Sequence, residues 1–197
     1  MNRVSVCVMI SGSGSNMLSL LDKLKNEPLI NFALIVSNNP LSPGLKKAQQ
    51  LSYNCRVLES SNNNANFESC LHKLLVEKRI QLVCLAGFMK ILSHSFTRNW
   101  EKRILNIHPS LLPKFKGLNT HSRALESGEK IHGCTVHYVN EKLDSGEILD
   151  QAQVKITKDD NSVTLASRVL IEEHKLYSKV VRGLITKENR FLTSPSY

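Results

Sequence analysis

The sequence predicts an α/β fold: a single domain on a doubly wound, mostly parallel, Rossmann-like sheet, with a long C-terminal helix. Two observations support this prediction. Apolar segments typical of buried strands alternate with segments of helical periodicity along most of the chain. The last apolar pattern keeps helical spacing from about residue 161 to residue 186. The 197 residues suit one domain with a sizeable core, and no linker or repeat divides them.

The first half of the chain contains four predicted strands separated by helices. The strands cover residues 3–10, 30–37, 55–58 and 80–86, and the helices cover about 15–26, 44–53 and the stretch from Phe67 to Leu75. Residues 60–66 are polar and rich in asparagine, which predicts a mobile loop. Right-handed crossovers bring the carboxyl ends of parallel strands to one edge of a sheet, and ligands bind there in such folds.

The second half continues the alternation with shorter elements. A short strand ends at His108, a short helix covers residues 121–127, and strands cover 133–139 and 148–154. The long helix starts from a cap at Asn161 or Ser162. Residues 187–197 are expected to form a short strand or a frayed tail.

Composition argues against several classes of function. The net charge is +9, but the basic residues are scattered and only one tryptophan is present to stack on bases, so we expect no nucleic-acid partner. The longest apolar run near the start is too short for a membrane span or a signal peptide. The five cysteines include no Cys-x-x-Cys pair, which argues against disulfides and zinc and is typical of the cytoplasm.

The stretch Asn106-Ile107-His108-Pro109 is the strongest candidate for chemistry. Side chains alternate along a strand, so Asn106 and His108 point to the same side, and Pro109 keeps His108 extended. Acyl transfer requires such a pair, because the amide can bind a developing oxyanion and the imidazole can move a proton near neutral pH. A packed histidine at a strand end is the alternative, but the Asn-x-His pair before a rigid loop favours catalysis.

The loop Ser11-Gly12-Ser13-Gly14-Ser15-Asn16 lies between the first strand and the first helix. Free backbone N–H groups, hydroxyls and the positive end of the helix dipole form an anion site at such a junction. Met17 stands where a dinucleotide fingerprint requires a third glycine, and no Gly-Lys-Ser/Thr sequence follows. The loop therefore indicates a monophosphate site, with a simple tight turn as the alternative.

Other residues are more ambiguous. Residues 87–92 are apolar at a strand end, which is typical of a ligand wall, although a helix start packed on the core has the same pattern. The carboxylate of Asp144 could orient an imidazole, although an Asp in a turn usually bonds to its own backbone. Glu173 lies in an apolar helical stripe, where it needs a Lys, an Arg or a ligand as partner. His132 and His137 face opposite sides of a strand and form a poor metal pair, and His137 could equally be a packed residue.

These residues resemble the glycinamide ribonucleotide formyltransferases of purine synthesis over nearly the whole chain. The motifs that carry the resemblance lie at residues 10–16, 85–89, 106–113, 117–121, 133–137, 143–146 and 172–174. The resemblance implies that a formyl group passes from the co-substrate 10-formyltetrahydrofolate to the glycine amine of 5'-phosphoribosylglycinamide, without a metal. It also implies a ribonucleotide-binding half in residues 1–100 and a catalytic, folate-binding half in residues 101–197.

The resemblance implies roles for individual residues as well. Asn106 would bind the formyl oxygen, His108 would donate a proton, and Asp144 would tune His108 and order a water. The ribonucleotide phosphate would lie on Gly14, Ser15 and Asn16, and its ribose on Glu173. The walls of the pterin pocket would be Phe88, Met89, Lys90, Ile91 and Leu92 with the loop from Asn140 to Asp144, and Asn106 would also contact the folate. A cis peptide bond is expected before Pro113.

The chain also departs from the pattern of this family. Lys90 stands where an arginine is usual, Asn64 where a basic folate-contacting residue occurs, Asn119 where a histidine is common, and Leu170 where relatives carry a polar residue. Lys114 and Lys116 are expected to compensate by binding carboxylates of the folate tail.

Three rival functions remain open at this point. Formyltetrahydrofolate hydrolases and methionyl-tRNA formyltransferases share the Asn-x-His pair, but each carries a further domain that we expect this chain to lack. A basic, non-enzymatic nucleotide- or RNA-binding module is a third possibility. The expected partners are small-molecule substrates, and the expected assembly is a monomer or a homodimer.

Overall fold

The computed structural model describes residues 3–59 and 64–187. Strands and helices alternate through most of this range, as the apolar patterns predicted. In chain order the elements are β1 Val4–Ile10, α1 Ser15–Leu24, β2 Ile30–Ser37, α2 Pro43–Gln50, β3 Cys55–Val57, α3 Asn64–Glu77, β4 Leu82–Leu85, α4 His94–Asn99, β5 Ile104–His108, α5 Thr120–Glu126, β6 Ile131–Tyr138, β7 Ile148–Lys155 and α6 Ser162–Lys187.

The strands form one sheet of seven, in the order β3-β2-β1-β4-β5-β6-β7. The first five strands pair in parallel, whereas β6 is antiparallel to both of its neighbours, so the predicted mostly parallel sheet is confirmed. From β1 the chain moves outward to β2 and β3 and then returns to place β4 on the other side of β1. The chain leaves β1 toward β2 on one side and leaves β4 toward β5 on the other. The two connections diverge, and this opens a crevice at the carboxyl ends of β1 and β4.

Helices cover both faces of the sheet and create two apolar layers. One layer packs α1 and α6 against residues such as Val6, Val8 and Leu105 of the sheet. The other packs α3 and α4 against the opposite face, where Cys7 and Met9 point. Because successive side chains of a strand point to opposite faces, a central strand buried on both sides must be apolar at nearly every position. This explains the continuous apolar run in β1.

The helix α6 is fastened to the carboxyl edge of the sheet by a buried tyrosine. The hydroxyl of Tyr177 lies 3.0 Å from the carbonyl oxygen of Leu85 and 3.2 Å from that of Leu105, at the ends of β4 and β5. Burial raises the pKa of Tyr177 well above its ordinary value, so the hydroxyl keeps its proton. This contact positions Glu173, one turn earlier on the same helix, over the crevice.

Two predictions of local structure were wrong. Residues 64–66 belong to α3, although their asparagines predicted a loop, and Asn64 Nδ2 donates to Glu68 Oε1 at 3.5 Å across the first turn of the helix. The short helix α4 was missed, because six residues are too few for a periodic pattern, although its cap Ser93 accepts a hydrogen bond from Phe96 N. The predicted mobility of residues 60–63 and the predicted tail 188–197 lie outside the described residues.

Within residues 3–59 and 64–187, none of the helices has the length and apolar character required to cross a membrane.

Candidate active site

A cavity of about 820 Å³ lies at the carboxyl ends of β1, β4 and β5. The predicted catalytic residues Asn106, His108 and Asp144 all line it. Asn16 and Glu173, from the predicted ribonucleotide site, line the same cavity. Residues that are as far apart in sequence as Asn16 and Glu173 therefore share one compartment, at the place in the sheet where an α/β fold binds its ligands.

The end of β5 brings Asn106 and His108 to the cavity. Both side chains line it, as the alternation of a strand predicted. His108 is buried and Asn106 is half-buried. The next strand, β6, runs antiparallel to β5 and places His137 directly opposite Asn106. An amide and two imidazoles are thus held on regular backbone, where their orientation is well fixed.

The hydrogen bonds of His108 define which ring nitrogen can exchange a proton. Its Nε2 lies 3.0 Å from the carbonyl oxygen of Phe115, and because a carbonyl oxygen only accepts, Nε2 carries a hydrogen. Its Nδ1 lies 3.4 Å from Oδ2 of Asp144. The proton that His108 gains or loses therefore sits on Nδ1, between the carboxylate and the cavity.

Asp144 is held by the backbone of a neighbouring loop. Its Oδ2 accepts a hydrogen bond of 2.8 Å from Gly117 N, and its side chain is buried. The residue itself has a positive φ of 45°. A turn conformation that is unusual for a residue other than glycine thus points the carboxylate inward, toward His108, and the alternative of an Asp bonded only to its own turn is excluded.

The sequence left open whether His137 is a packed strand residue, and the structure shows that it lines the cavity. Its Nδ1 donates to the carbonyl oxygen of Tyr138 at 2.8 Å, so Nε2 is the acceptor for Asn106 Nδ2 at 3.3 Å. Burial lowers the pKa of His137, which favours this neutral form. His137 therefore fixes the amide of Asn106 with its nitrogen toward the cavity. Its position opposite Asn106 depends on strand register, which was the only signal that could have revealed it.

The predicted folate wall, residues 88–92, lines the cavity. Phe88 and Leu92 are buried, whereas Met89 and Ile91 leave 72% and 66% of their surface exposed. Large apolar side chains with this exposure at the rim of a cavity favour an apolar ligand. Lys90 also lines the cavity, and its Nζ lies over the ring of Phe67, 5.2 Å from the ring centroid.

The other predicted folate contacts do not all line this cavity. Asn140 lines the main cavity, but Asn64 lines a separate cavity between α3 and α4. The amine of Lys114 is paired with Glu129 at 2.8 Å, and that of Lys116 donates to Ser145 Oγ at 2.5 Å. The expected contacts of Asn64, Lys114 and Lys116 with the folate stay predictions. The peptide bond between Leu112 and Pro113 is cis, as expected.

The predicted phosphate cradle consists of Gly14, Ser15 and Asn16 at the start of α1. Gly14 has a φ of 72°, and among the described residues no side chain caps the helix and no acidic residue lies in its first turn. The first N–H groups of an α-helix have no partner within the helix and carry its positive dipole end. Of the three, only Asn16 lines the cavity, while Gly14 packs against Gly44.

Glu173 has a protein partner on α1. The amide of Asn16 donates to its Oε2 at 2.7 Å, and no Lys or Arg of residues 3–59 and 64–187 forms an ion pair with this carboxylate, so the predicted ligand partner stays a prediction. Burial raises the pKa of Glu173 above its ordinary value. Oδ1 of Asn16 is buried and lacks a hydrogen-bond partner within the described part of the chain. A buried acceptor of this kind requires a donor, and a ligand hydroxyl in the cavity would provide one.

Comparison with known proteins agrees with this geometry. A family model described as Formyl transferase matches residues 4–181. The chain belongs to the formyl transferase family. It is 38% identical over 180 residues to the phosphoribosylglycinamide formyltransferase of Haemophilus influenzae, a match that covers 90% of this chain and 85% of that protein.

Longer relatives of this formyl transferase also exist. The trifunctional purine biosynthetic protein adenosine-3 of Bos taurus is 41% identical over 184 residues, or 91% of this chain. The match spans only 18% of the length of that protein, so the similarity concerns one part of it.

Solved structures of similar proteins share the fold. The phosphoribosylglycinamide formyltransferase of Coxiella burnetii superimposes with a TM-score of 0.89 at 37% identity, covering 94% of this chain and 88% of that one. The phosphoribosylglycinamide formyltransferase of Anaplasma phagocytophilum gives a TM-score of 0.89 at 39% identity, covering 95% of this chain and 89% of that one.

Proposed function

We propose that this formyl transferase moves the formyl group of 10-formyltetrahydrofolate to the glycine amine of 5'-phosphoribosylglycinamide, a step of de novo purine synthesis. One observation carries the proposal. An amide, an imidazole and a carboxylate line one cavity together with Asn16 and Glu173, and Asn16 belongs to a helix start that no side chain caps within the described residues. Relatives of similar length that bear the name phosphoribosylglycinamide formyltransferase support it.

The proposed chemistry needs no covalent bond to the protein. The glycine amine forms a bond to the formyl carbon, the bond from this carbon to the folate nitrogen breaks, and one proton passes from the amine to that nitrogen. Negative charge develops on the formyl oxygen as the amine attacks. The protein therefore has to stabilise an oxyanion and to relay a proton.

Asn106 and His108 suit these two tasks. One Nδ2 hydrogen of Asn106 goes to His137, which leaves the second for the formyl oxygen. His108 presents Nδ1 to the cavity because Phe115 occupies Nε2, so this nitrogen would donate to the same oxygen. The carboxylate of Asp144, 3.4 Å from Nδ1, would orient the imidazole and a water that carries the transferred proton.

The cavity fits a flat, partly apolar co-substrate beside these groups. When bound, the formyl folate supplies the one-carbon group at its reactive nitrogen. Phe88 and Leu92 offer apolar surface, and Met89 and Ile91 extend it to the rim. Residues 140–144 close the opposite side of the cavity and supply backbone and amide groups that can orient a heterocycle.

The ribonucleotide would bind with its phosphate on the start of α1. Backbone N–H groups of Ser15 and Asn16 and the helix dipole favour a phosphate there. Glu173 would accept hydrogen bonds from ribose hydroxyls, and the unpartnered Oδ1 of Asn16 adds a second acceptor. The distance from this cradle to His108 is spanned by one cavity, which the two substrates would share.

A single assay separates this function from its rivals. The chain is incubated with 10-formyltetrahydrofolate in the presence and in the absence of phosphoribosylglycinamide, and both loss of the formyl group and release of formate are measured. Formyl transfer that depends on the ribonucleotide is the expected result. Formate release without the ribonucleotide would indicate a hydrolase, and formylation of methionyl-tRNA in its place would indicate the tRNA enzyme. Absence of any turnover would favour the non-enzymatic binding module.

Further expectations about the protein stay predictions. They concern a cytoplasmic location, a monomer or homodimer, the lack of a nucleic-acid partner, and the division at residue 100 into a ribonucleotide half and a catalytic half.

A further inference from the structure

The segment of residues 115–119 beside the active site has an unusual backbone. Phe115 has a φ of 54°, Gly117 a φ of 78° and Asn119 a φ of 56°, so every second residue lies in the left-handed region. This region is open to glycine but costs energy for residues with a side chain, above all for a bulky aromatic such as Phe115. Such a conformation persists only where neighbouring groups hold it in place.

The same segment makes the hydrogen bonds that orient the two groups of the proposed proton relay. The carbonyl oxygen of Phe115 accepts from His108 Nε2 at 3.0 Å. The amide of Gly117 donates to Asp144 Oδ2 at 2.8 Å. A shift of this backbone would therefore move the imidazole and the carboxylate at the same time.

Arg123 holds this segment from outside the cavity. Its Nη1 donates to the carbonyl oxygens of Lys116 at 2.7 Å and Leu118 at 3.3 Å. Its guanidinium also lies over the ring of Phe115, with Cζ 5.6 Å from the centroid. One side chain thus contacts three residues of the segment, and a charged donor makes hydrogen bonds stronger than those of a neutral one.

The position of Arg123 argues against direct contact with a substrate. The side chain is exposed on α5, and the residues that line the main cavity within the described chain include Gly117, Leu118 and Asn119 but not Arg123. Its two carbonyl partners come directly before and directly after Gly117, the residue that bonds Asp144. Arg123 therefore acts on the backbone of the segment and does not touch the reacting atoms.

We propose that Arg123 is a positioning residue, a clamp that keeps the strained 115–119 segment in the shape in which Phe115 and Gly117 orient His108 and Asp144. This inference rests on the proposed formyl transfer for its effect on catalysis. The effect of Arg123 on the shape of the segment does not depend on the proposed function. Nη1 of the guanidinium donates to both carbonyls while the rest of the group lies over the Phe115 ring, whereas lysine provides a point charge without the delocalised plane.

The test compares Arg123→Ala and Arg123→Lys with the matched control Arg182→Ala. Arg182 is also exposed, binds Glu27 through Nε at 2.5 Å, and donates to a backbone carbonyl, that of Lys23 at 3.2 Å, but it lies on α6 away from the segment. Turnover, both Michaelis constants, the melting temperature and amide hydrogen exchange at Gly117 are measured for each variant.

Arg123→Ala should lower kcat by about 10- to 100-fold, the scale of a small misplacement of catalytic groups. The Michaelis constant for the ribonucleotide should change much less than kcat, because the proposed phosphate cradle is on α1 and Arg123 bonds only to carbonyls of the segment in the hydrogen bonds described here. Exchange at Gly117 should become faster, Arg123→Lys should restore part of kcat, and the control should match the wild type in both readouts.

Two results would overturn the inference. One is unchanged exchange at Gly117 in Arg123→Ala, because the segment would then hold its shape without the clamp. The other is a kcat for Arg123→Ala equal to that of the control. If the wild-type chain shows no transfer that depends on the ribonucleotide, the proposed function is wrong, and the exchange measurement alone decides whether Arg123 holds the segment.

Discussion

The proposed ribonucleotide end and the proposed catalytic end of the cavity are built in different ways. At the ribonucleotide end, main chain packs on main chain: Gly44 N donates to Gly12 O at 3.0 Å, and a Cβ on Gly14 would lie 2.9 Å from Gly44 Cα. At the catalytic end, side chains hold loops together. His108 bonds to Phe115 and Asp144 bonds to Gly117 across breaks between elements.

This difference predicts how substitutions act. Backbone packing leaves little freedom, so changes at the ribonucleotide end should alter stability and binding. Side-chain hydrogen bonds across loops can be removed while the fold persists, so changes at the catalytic end should alter turnover first. Four predictions test this separation, from the largest expected effect to the smallest.

His108→Ala should lower turnover by about 10²–10⁴-fold, the usual range for loss of a general acid–base group. The affinity for the ribonucleotide should change little, because His108 is on β5 whereas the proposed phosphate cradle is the start of α1. Single-turnover kinetics and calorimetry measure the two quantities separately. A variant with intact turnover and lost ribonucleotide binding would reverse the assignment of the two ends.

Gly14→Ala should destabilise the fold by about 3 kcal/mol or more, because the methyl group meets both a left-handed backbone and the Gly44 backbone. Gly128→Ala is the matched control. Gly128 has a similar φ of 71°, but a Cβ there would meet no described atom within 4 Å, so its cost should be about 1–2 kcal/mol. Urea unfolding measures both variants, and equal losses would show that the close contact with Gly44 contributes nothing.

Acid should affect the two ends with opposite signs. Burial lowers the pKa of His132, which packs against His121 beside His108, from 6.5 to about 4. The unfolded chain therefore binds more protons than the folded chain between these values, and His132 alone should cost up to about 1.4 kcal/mol of unfolding free energy for each pH unit below 6.5. The raised pKa of Glu173 acts in the other direction, because its neutral form is favoured when folded, so this penalty disappears as the pH falls.

Unfolding by urea at a series of pH values between 4 and 6.5 measures this balance. His132→Gln should flatten the loss of stability in acid, whereas Glu173→Gln should steepen it because the compensating group is gone. Parallel curves for the wild type and both variants would contradict the lowered pKa of His132 and the raised pKa of Glu173.

Ser15→Asp should weaken ribonucleotide binding by about three- to tenfold, because a carboxylate at the start of α1 repels a phosphate through partly screened charge. Turnover at saturating ribonucleotide should stay close to that of the wild type. Calorimetry gives the affinity, and Ser15→Ala controls for loss of the hydroxyl. If the aspartate and alanine variants bind equally well, the phosphate does not lie on this loop.

Much of the fold follows from local patterns in the sequence. The buried strands could be predicted because a strand covered on both faces is apolar at nearly every position, as in β1 and β4. Asn106 and His108 could be placed on one side because the two-residue period of a strand does not depend on the rest of the fold. The six residues of α4 could not be predicted, because so short a helix is stabilised by its contacts rather than by its own periodicity.

The partners of the site residues were decided by the tertiary structure. Asn16 and Glu173 are 157 residues apart, and Asn106 and His137 are 31 residues apart, yet each pair shares a hydrogen bond. The contacts between these residues depend on strand order, on antiparallel register and on the path of the loops. A local sequence pattern determines none of these. The sequence by itself therefore determined most of the strands and helices and the chemical groups at their ends. Only the packing of distant segments decided which groups face each other, because a hydrogen bond depends on position in space rather than in the chain.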